Sequence, residues 1–305
     1  MATPIPVTLV GGYLGAGKTT LVNHLLRQRG ERRIAVLVND FGDLAIDADL
    51  IESRDGTLLQ LAGGCVCCSF GSDLMAALQQ MLALQPPPQH ILIETSGVAL
   101  PGAVARLLGL LQGLQLDAVL VLVDAETLRQ RAADAYVGEL VRQQLQDADL
   151  LLMNKTDLVA DGALDALSAW LAGAAPHSRL LRCQRAQLPP ELLLGIGPMD
   201  LRPRQQPDAT DAGALFDSLS LEFDHAVDVA ALSAMLVAPP LRLLRAKGLM
   251  QDRDGQPRSL QLVGARTASA LSNHAQPQHG RLVCIALRGE LQAERLHAAL
   301  TACAV

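Results

Sequence analysis

Residues 11–20 read GGYLGAGKTT and follow directly on the apolar run Ile5-Pro6-Val7-Thr8-Leu9-Val10. Gly12, Gly17, Lys18 and Thr19 satisfy the spacing G-x-x-x-x-G-K-[ST], with a strand-like run before them and a helix-like run, Thr19 to Arg29, after them. This pattern restricts the fold because a triphosphate must be wrapped by backbone N–H groups. Glycines let the chain approach the phosphates closely or pass through positive φ. Gly15, Ala16 and Thr20 complete the expected cradle. Lys18 is expected to neutralise the β- and γ-phosphates and the Thr19 hydroxyl to bind Mg²⁺, while the start of the following helix adds partial positive charge.

The base is read from Met153-Asn154-Lys155-Thr156-Asp157, placed after the apolar run Leu150-Leu151-Leu152. Guanine offers N1–H and an exocyclic amine side by side, and one carboxylate, Asp157, can accept both. Adenine would leave a buried Asp157 unpaired, a mismatch that separates ligands by about 10⁴ or more. Asn154 would fasten the loop and the Lys155 stem would lie along the base. A third element, His90-Ile91-Leu92-Ile93-Glu94-Thr95-Ser96-Gly97, is an apolar strand ending in a carboxylate with a glycine three residues later. In this Walker-B arrangement Glu94 holds Mg²⁺ through water and the Gly97 N–H senses the γ-phosphate.

Between these elements lies Gly63-Gly64-Cys65-Val66-Cys67-Cys68. Three thiols in four residues beside two glycines make a soft-metal site. Adjacent cysteines pair poorly as disulfides, and without a secretory signal the expected compartment is the reducing cytoplasm. A buried structural role for the thiols is the other reading. Cys183, Cys284 and Cys303 lie in apolar surroundings and read as core fillers.

Taken in order, GGYLGAGKTT, NDFGDLAIDADLI, GGCVCC, ETSG and NKTD resemble the CobW family of SIMIBI-class P-loop GTPases. The likeness covers about the first 160 residues and extends weakly into Leu243-Leu244-Arg245-Ala246-Lys247-Gly248. It implies a GTP-hydrolysing metallochaperone or metal insertase working with Zn²⁺ or Co²⁺, with Cys65, Cys67 and Cys68 as the metal site and a client metalloprotein as partner. It also implies that Asn39-Asp40-Phe41-Gly42-Asp43 is the switch. The family usually carries glutamates where this chain has Asp40 and Asp43, which shortens each carboxylate by one methylene. Homodimerisation around the nucleotide follows by analogy with SIMIBI-class relatives. The His-rich loop common in the family does not occur here.

Strand-like runs alternate with helix-period segments, the pattern of a parallel sheet flanked by helices. The expected organisation is an α/β P-loop NTPase domain over 1–197, a polar linker over 198–213, and a small α+β C-terminal domain over 214–305. A single helix is expected over 126–146, and strands at 215–223, 241–247, 258–264 and 281–287. Aromatic residues make up 2% of the chain and its net charge is −6. Base stacking on aromatic platforms and binding to nucleic-acid backbones or anionic membranes are therefore not expected. Leu107 to Val123 is interrupted by Gln112, Gln115 and Asp117, so no bilayer span is expected. Arg245 and Lys247, read as strand-end charges, are expected to be solvated. His225, His274 and His279 are expected on the surface, the last two in a loop that could lend a transient metal ligand.

Residues 39–68 run from switch to thiols and leave little chain between γ-phosphate and metal, so GTP state is expected to alter metal grip. The leading reading is a GTPase metallochaperone that uses GTP, Mg²⁺ and Zn²⁺ or Co²⁺. A metal-buffering or sensing GTP-binding module and a P-loop small-molecule kinase are the alternatives, the latter disfavoured by NKTD.

Overall fold

A computed structural model of the chain describes residues 4–39, 58–61, 70–194, 216–272 and 279–305. The chain divides into two compact units, Ala2–Leu194 and Gly195–Val305. The expected linker, 198–213, lies outside the described residues.

In the first unit the described strands are β1 (Ile5–Gly11), β2 (Ile34–Asn39), β3 (Leu58–Leu61), β4 (His90–Glu94), β5 (Leu114–Asp124), β6 (Leu150–Asn154) and β7 (Arg179–Arg182). They form one sheet in the order β3-β2-β4-β1-β5-β6-β7, with every neighbouring pair parallel. Strands buried on both faces read as unbroken apolar runs rather than alternating ones. His90–Glu94 and Leu150–Asn154 are buried at every position.

The described helices of this unit are α1 (Lys18–Arg27), α2 (Phe70–Leu82), α3 (Pro101–Leu108), α4 (Leu128–Ala133), α5 (Gly138–Gln146), α6 (Asp161–Ala174) and a single turn, α7 (Pro190–Leu193). Leu74, Leu78 and Met81 of α2 join Val7, Leu9, Leu37, Ile91 and Ile93 of the sheet in one core cluster. Because the strands are parallel, their C-terminal ends share one edge, where open α/β sheets bind ligands. Along that edge the strand order brings together the loops after β4, β1, β5, β6 and β7.

The helix expected over 126–146 is two helices. The Asp134 carboxylate accepts from the N–H groups of Tyr136 and Val137, and Asp134 itself is extended (ψ 139°), so the chain turns before α5 begins. Those same two bonds hold the Asp134 carboxyl below its usual range.

The second unit is an antiparallel sheet in the order β11-β10-β9-β12-β8, built from β8 (Phe216–Phe223), β9 (Leu243–Gln251), β10 (Pro257–Val263), β11 (Arg266–Leu271) and β12 (Gly280–Leu287). Leu232 and Leu236 of α8 (Val229–Val237) and Leu296 and Leu300 of α9 (Ala293–Ala302) share a core with Leu260, Leu262, Leu282 and Cys284 of the sheet. Two features depart from expectation. Strand β9 continues to Gln251, and β11 pairs with β10 through a tight turn at Gly264, whose φ is +59°. Arg266–Leu271 is mostly exposed, so its sequence lacks the apolar alternation that marks a half-buried strand.

Candidate functional site

The glycine loop follows β1, the central strand. Gly12 (φ +127°), Gly15 (φ +77°) and Gly17 (φ +105°) all occupy the positive-φ region that side chains avoid. A Cβ on Gly12 would lie 2.2 Å from the Leu122 carbonyl oxygen of β5, and one on Gly17 would lie 2.5 Å from Asn154 Nδ2. Two of the three therefore face space already taken by the neighbouring strands. Lys18 is buried at the start of α1. Thr19 Oγ1 donates to Glu94 Oε1 over 2.8 Å, which links the first turn of α1 to the end of β4. Thr20 is exposed. The turn after β4 rests on the glycine loop, since a Cβ on Gly97 would lie 2.6 Å from Leu14 Cδ2 and 2.9 Å from Leu14 N.

The loop after β6 is fastened to this cradle by Asn154. Its buried amide nitrogen donates to the Ala16 carbonyl over 2.9 Å, and its Oδ1 accepts from Ala186 N over 2.8 Å. Both ends of the side chain are thus used to join loops. Lys155 adopts left-handed backbone (φ +61°), and its ammonium pairs with Asp124 Oδ2 at 2.7 Å at the end of β5. That partner fixes the direction of the lysine stem. Asp157 sits on the short turn Thr156–Leu158 and is exposed, not buried as expected.

These two loops and the Glu94–Gly97 turn line one stretch of the sheet edge. Two family models match the chain: "CobW/HypB/UreG, nucleotide-binding domain" over residues 6–182 and "Cobalamin synthesis protein cobW C-terminal domain" over 216–304. The chain belongs to the CobW family. A protein named zinc chaperone CobW from a Sinorhizobium species is 30% identical over 305 residues, with 86% of each chain covered. Zinc chaperone YjiA of Escherichia coli is 31% identical over 284 residues, again with 86% of each covered. Zinc chaperone CobW of Pseudomonas aeruginosa is 34% identical over 224 residues, covering 63% of this chain and 60% of its own length.

Asp40, Asp43, Cys65, Cys67 and Cys68 lie outside the described residues, as does His274. Among the described residues no group of three or more His, Cys, Asp or Glu side chains is arranged to hold a metal, and no helix is long and apolar enough to cross a membrane. Cys183, Cys284 and Cys303 are buried. Burial pushes the Cys183 and Cys284 thiols up to about 12, so both stay protonated and unreactive at neutral pH. His225 and His279 are exposed, and His279 Nδ1 pairs with Asp224 Oδ1.

Two findings were not anticipated. Arg245, the third residue of β9, is 2% exposed and pairs with Val263 of β10 on one side and Ile285 of β12 on the other, so the solvated strand-end reading is wrong for it. Strand β9 runs six residues beyond Arg245, which places the guanidinium inside the sheet. The second is the loop after β7, where Arg185 and Ala186 both have positive φ and Thr156 donates through its backbone and its hydroxyl to the Cys183 carbonyl. This loop lies against the Asn154–Asp157 segment. Its sequence, Cys183-Gln184-Arg185-Ala186-Gln187, lacks the glycine or asparagine that usually announces left-handed backbone.

Proposed function

We propose that the chain is a GTP-hydrolysing metallochaperone that carries Zn²⁺, with Co²⁺ as the second candidate cargo, to a client metalloprotein. The observation that carries this reading is the Asn154–Ala16 bond, which makes the loop suited to guanine and the loop suited to phosphates into a single site. The names of relatives that match 86% of the chain support zinc as cargo.

In this reading the backbone of Gly12, Gly15, Ala16 and Gly17 wraps the phosphates, with Thr20 beside them, and the Lys18 ammonium neutralises the β- and γ-oxygens. The Asp157 carboxylate accepts from guanine N1–H and the exocyclic amine, and Asn154 and Lys155 keep the loop in register. Hydrolysis breaks the bond between the terminal phosphorus and its bridging oxygen as water attacks in line, giving GDP and phosphate. Asp40 and Asp43 are the proposed switch carboxylates. Thr19 Oγ1 and Glu94 Oε1, hard oxygen donors 2.8 Å apart at the mouth of the cradle, fit Mg²⁺. Held by these two oxygens, Mg²⁺ would supply positive charge against the negative charge that develops on the phosphate oxygens in the transfer.

Cys65, Cys67 and Cys68 would hold the cargo as thiolates. Three such ligands leave a coordination position for a receiving protein, which a closed four-ligand site does not. The same chain segment, 39–68, contains the proposed switch, so GTP is expected to tighten the metal site and GDP to relax it. The test is a zinc titration of the full chain with a non-hydrolysable GTP analogue and with GDP. Tighter binding in the first state is expected, and equal affinities would end the mechanism.

A further inference from the structure

Gln144 is polar, 1% exposed and buried on α5, where an apolar side chain would be the ordinary choice. Its amide nitrogen donates to two carbonyls of the turn after β4, Gly97 O at 3.1 Å and Ala99 O at 2.8 Å. Both acceptors are carbonyls, so their chemistry settles which end of the amide faces them. Three residues further on, one helical turn along the same face, the Asp147 carboxylate accepts from Gly102 N at 2.8 Å in the first turn of α3. A Cβ on Gly102 would fall 2.3 Å from Asp147 Oδ1, so the carboxylate is seated directly against the backbone.

The turn is therefore gripped from two sides. Leu14 of the glycine loop presses on Gly97, and Gln144 and Asp147 hold the segment from 97 to 102. A carbonyl and the next N–H share one rigid peptide plane, so fixing Gly97 O and Ala99 O sets the direction of the Val98 and Leu100 N–H groups and with them the backbone that carries Gly97. Removing the Gln144 amide would take its donor from the buried Gly97 carbonyl and from the part-buried Ala99 carbonyl.

We propose that Gln144 is a positioning residue for recognition of the terminal phosphate: it holds the Gly97 turn at the glycine loop and ties that turn to α5. The inference rests on the reading that Gly97 senses the γ-phosphate, and it adds that α5 responds to nucleotide state. A purely structural Gln144 would affect GDP and GTP alike. A positioning one would discriminate, because GDP lacks the group the turn meets.

The experiment measures affinities of the full chain for GDP and for a non-hydrolysable GTP analogue in wild type, Gln144→Leu and Gln144→Glu, with thermal unfolding of each. Leucine keeps the volume without a donor, and glutamate keeps the shape but presents acceptors to acceptors. Expected is a loss of about tenfold or more in analogue affinity, with GDP affinity held within about twofold. Equal losses for both nucleotides, or none, would overturn the positioning role. Should both variants fail to fold, hydrogen exchange on the wild type decides. Peptides covering 96–99 and 141–147 are expected to slow together with the analogue and not with GDP, and protection of the first without the second would overturn the inference. A wild type that binds neither nucleotide would overturn the proposed function and the inference with it, whereas intact wild-type binding with unaltered variants would overturn the inference alone.

Discussion

The two sheets use polar side chains in opposite ways. In the parallel sheet the loops after five strands gather at one edge, and Thr19, Asn154, Lys155 and Gln144 all join one loop or helix to another. In the antiparallel sheet, loops alternate between the two ends, and the longer-range polar bonds, such as Gly289 N to Asp217, His279 to Asp224 and Arg253 to Asp228, are scattered over separate loops, while other acceptors close their own turns. Asp228 accepts from Ala230 and Ala231 at the start of α8, and Asp252 accepts from Asp254 and Gln256 within its own turn. Parallel topology thus collects ligand-binding groups without a local sequence signal between them, while antiparallel topology places its acceptors where they close turns. Arg245 stands apart in the second sheet as a buried cation in the strand interior.

On this contrast, substitutions at the gathered edge that disturb the backbone or the bonds joining its loops damage binding and the fold of the edge together. Gly12→Ala is expected to have the largest effect. It needs a side chain at φ +127° and places Cβ 2.2 Å from a backbone oxygen that cannot swing aside. A loss of about 3 kcal/mol or more in stability is expected, along with loss of guanine-nucleotide binding. Chemical denaturation and nucleotide titration measure both. An unchanged midpoint would mean that the cradle is not held by β5.

Lys18→Ala separates binding from folding at the same edge. It should lower GTP affinity by about a hundredfold or more while leaving the fold intact, since the role proposed for the ammonium is on the phosphates. Affinity retained within about tenfold would contradict the role given to Lys18. Asn154→Ala comes next. Ala16 O and Ala186 N would each lose a partner, which costs about 2 kcal/mol of stability. Guanine-nucleotide affinity should fall as well, because the two loops would no longer be joined. Thermal unfolding with and without GDP tests the pair of effects, and a stability loss with unchanged GDP affinity would show that the join is structural only.

What could be read from the sequence divides along the same line. The strand before the glycine loop, the Glu94 strand and the Asn154 strand were legible because their apolar runs and motif spacings are local. Gln144 and Asp147 were not, because on α5 and just past its end they resemble ordinary helix-surface residues, and their partners are 45 to 47 residues away in sequence. The loop after β7 carries no turn residue that would mark it. The break at Asp134 was hidden by apolar spacing that continues through it, although an Asx turn overrides that period. Arg245 was misjudged because the length of β9 was underestimated, and a charge at a strand end and one inside a strand meet different surroundings.

The smallest expected effect probes the local side of the comparison. The Arg258 guanidinium, 2.7 Å from Asp252 Oδ2, together with the N–H groups of Gln256 and Asp254, holds the Asp252 carboxyl below its ordinary value of 3.8. A carboxyl depressed in the folded state stabilises the fold above the unfolded value and loses that contribution as pH falls through the folded one. Stability due to this turn should therefore be constant above about pH 4 and decline as the solution is acidified further. Asp252→Asn should lower stability slightly at neutral pH and flatten that part of the acid profile, because the ion pair to Arg258 is gone while Oδ1 can still accept from the turn. Nucleotide affinity should stay where it is. Equilibrium unfolding of wild type and variant from pH 7 to pH 2 would test this, and parallel profiles would show that the β9–β10 turn does not depend on the charge of Asp252.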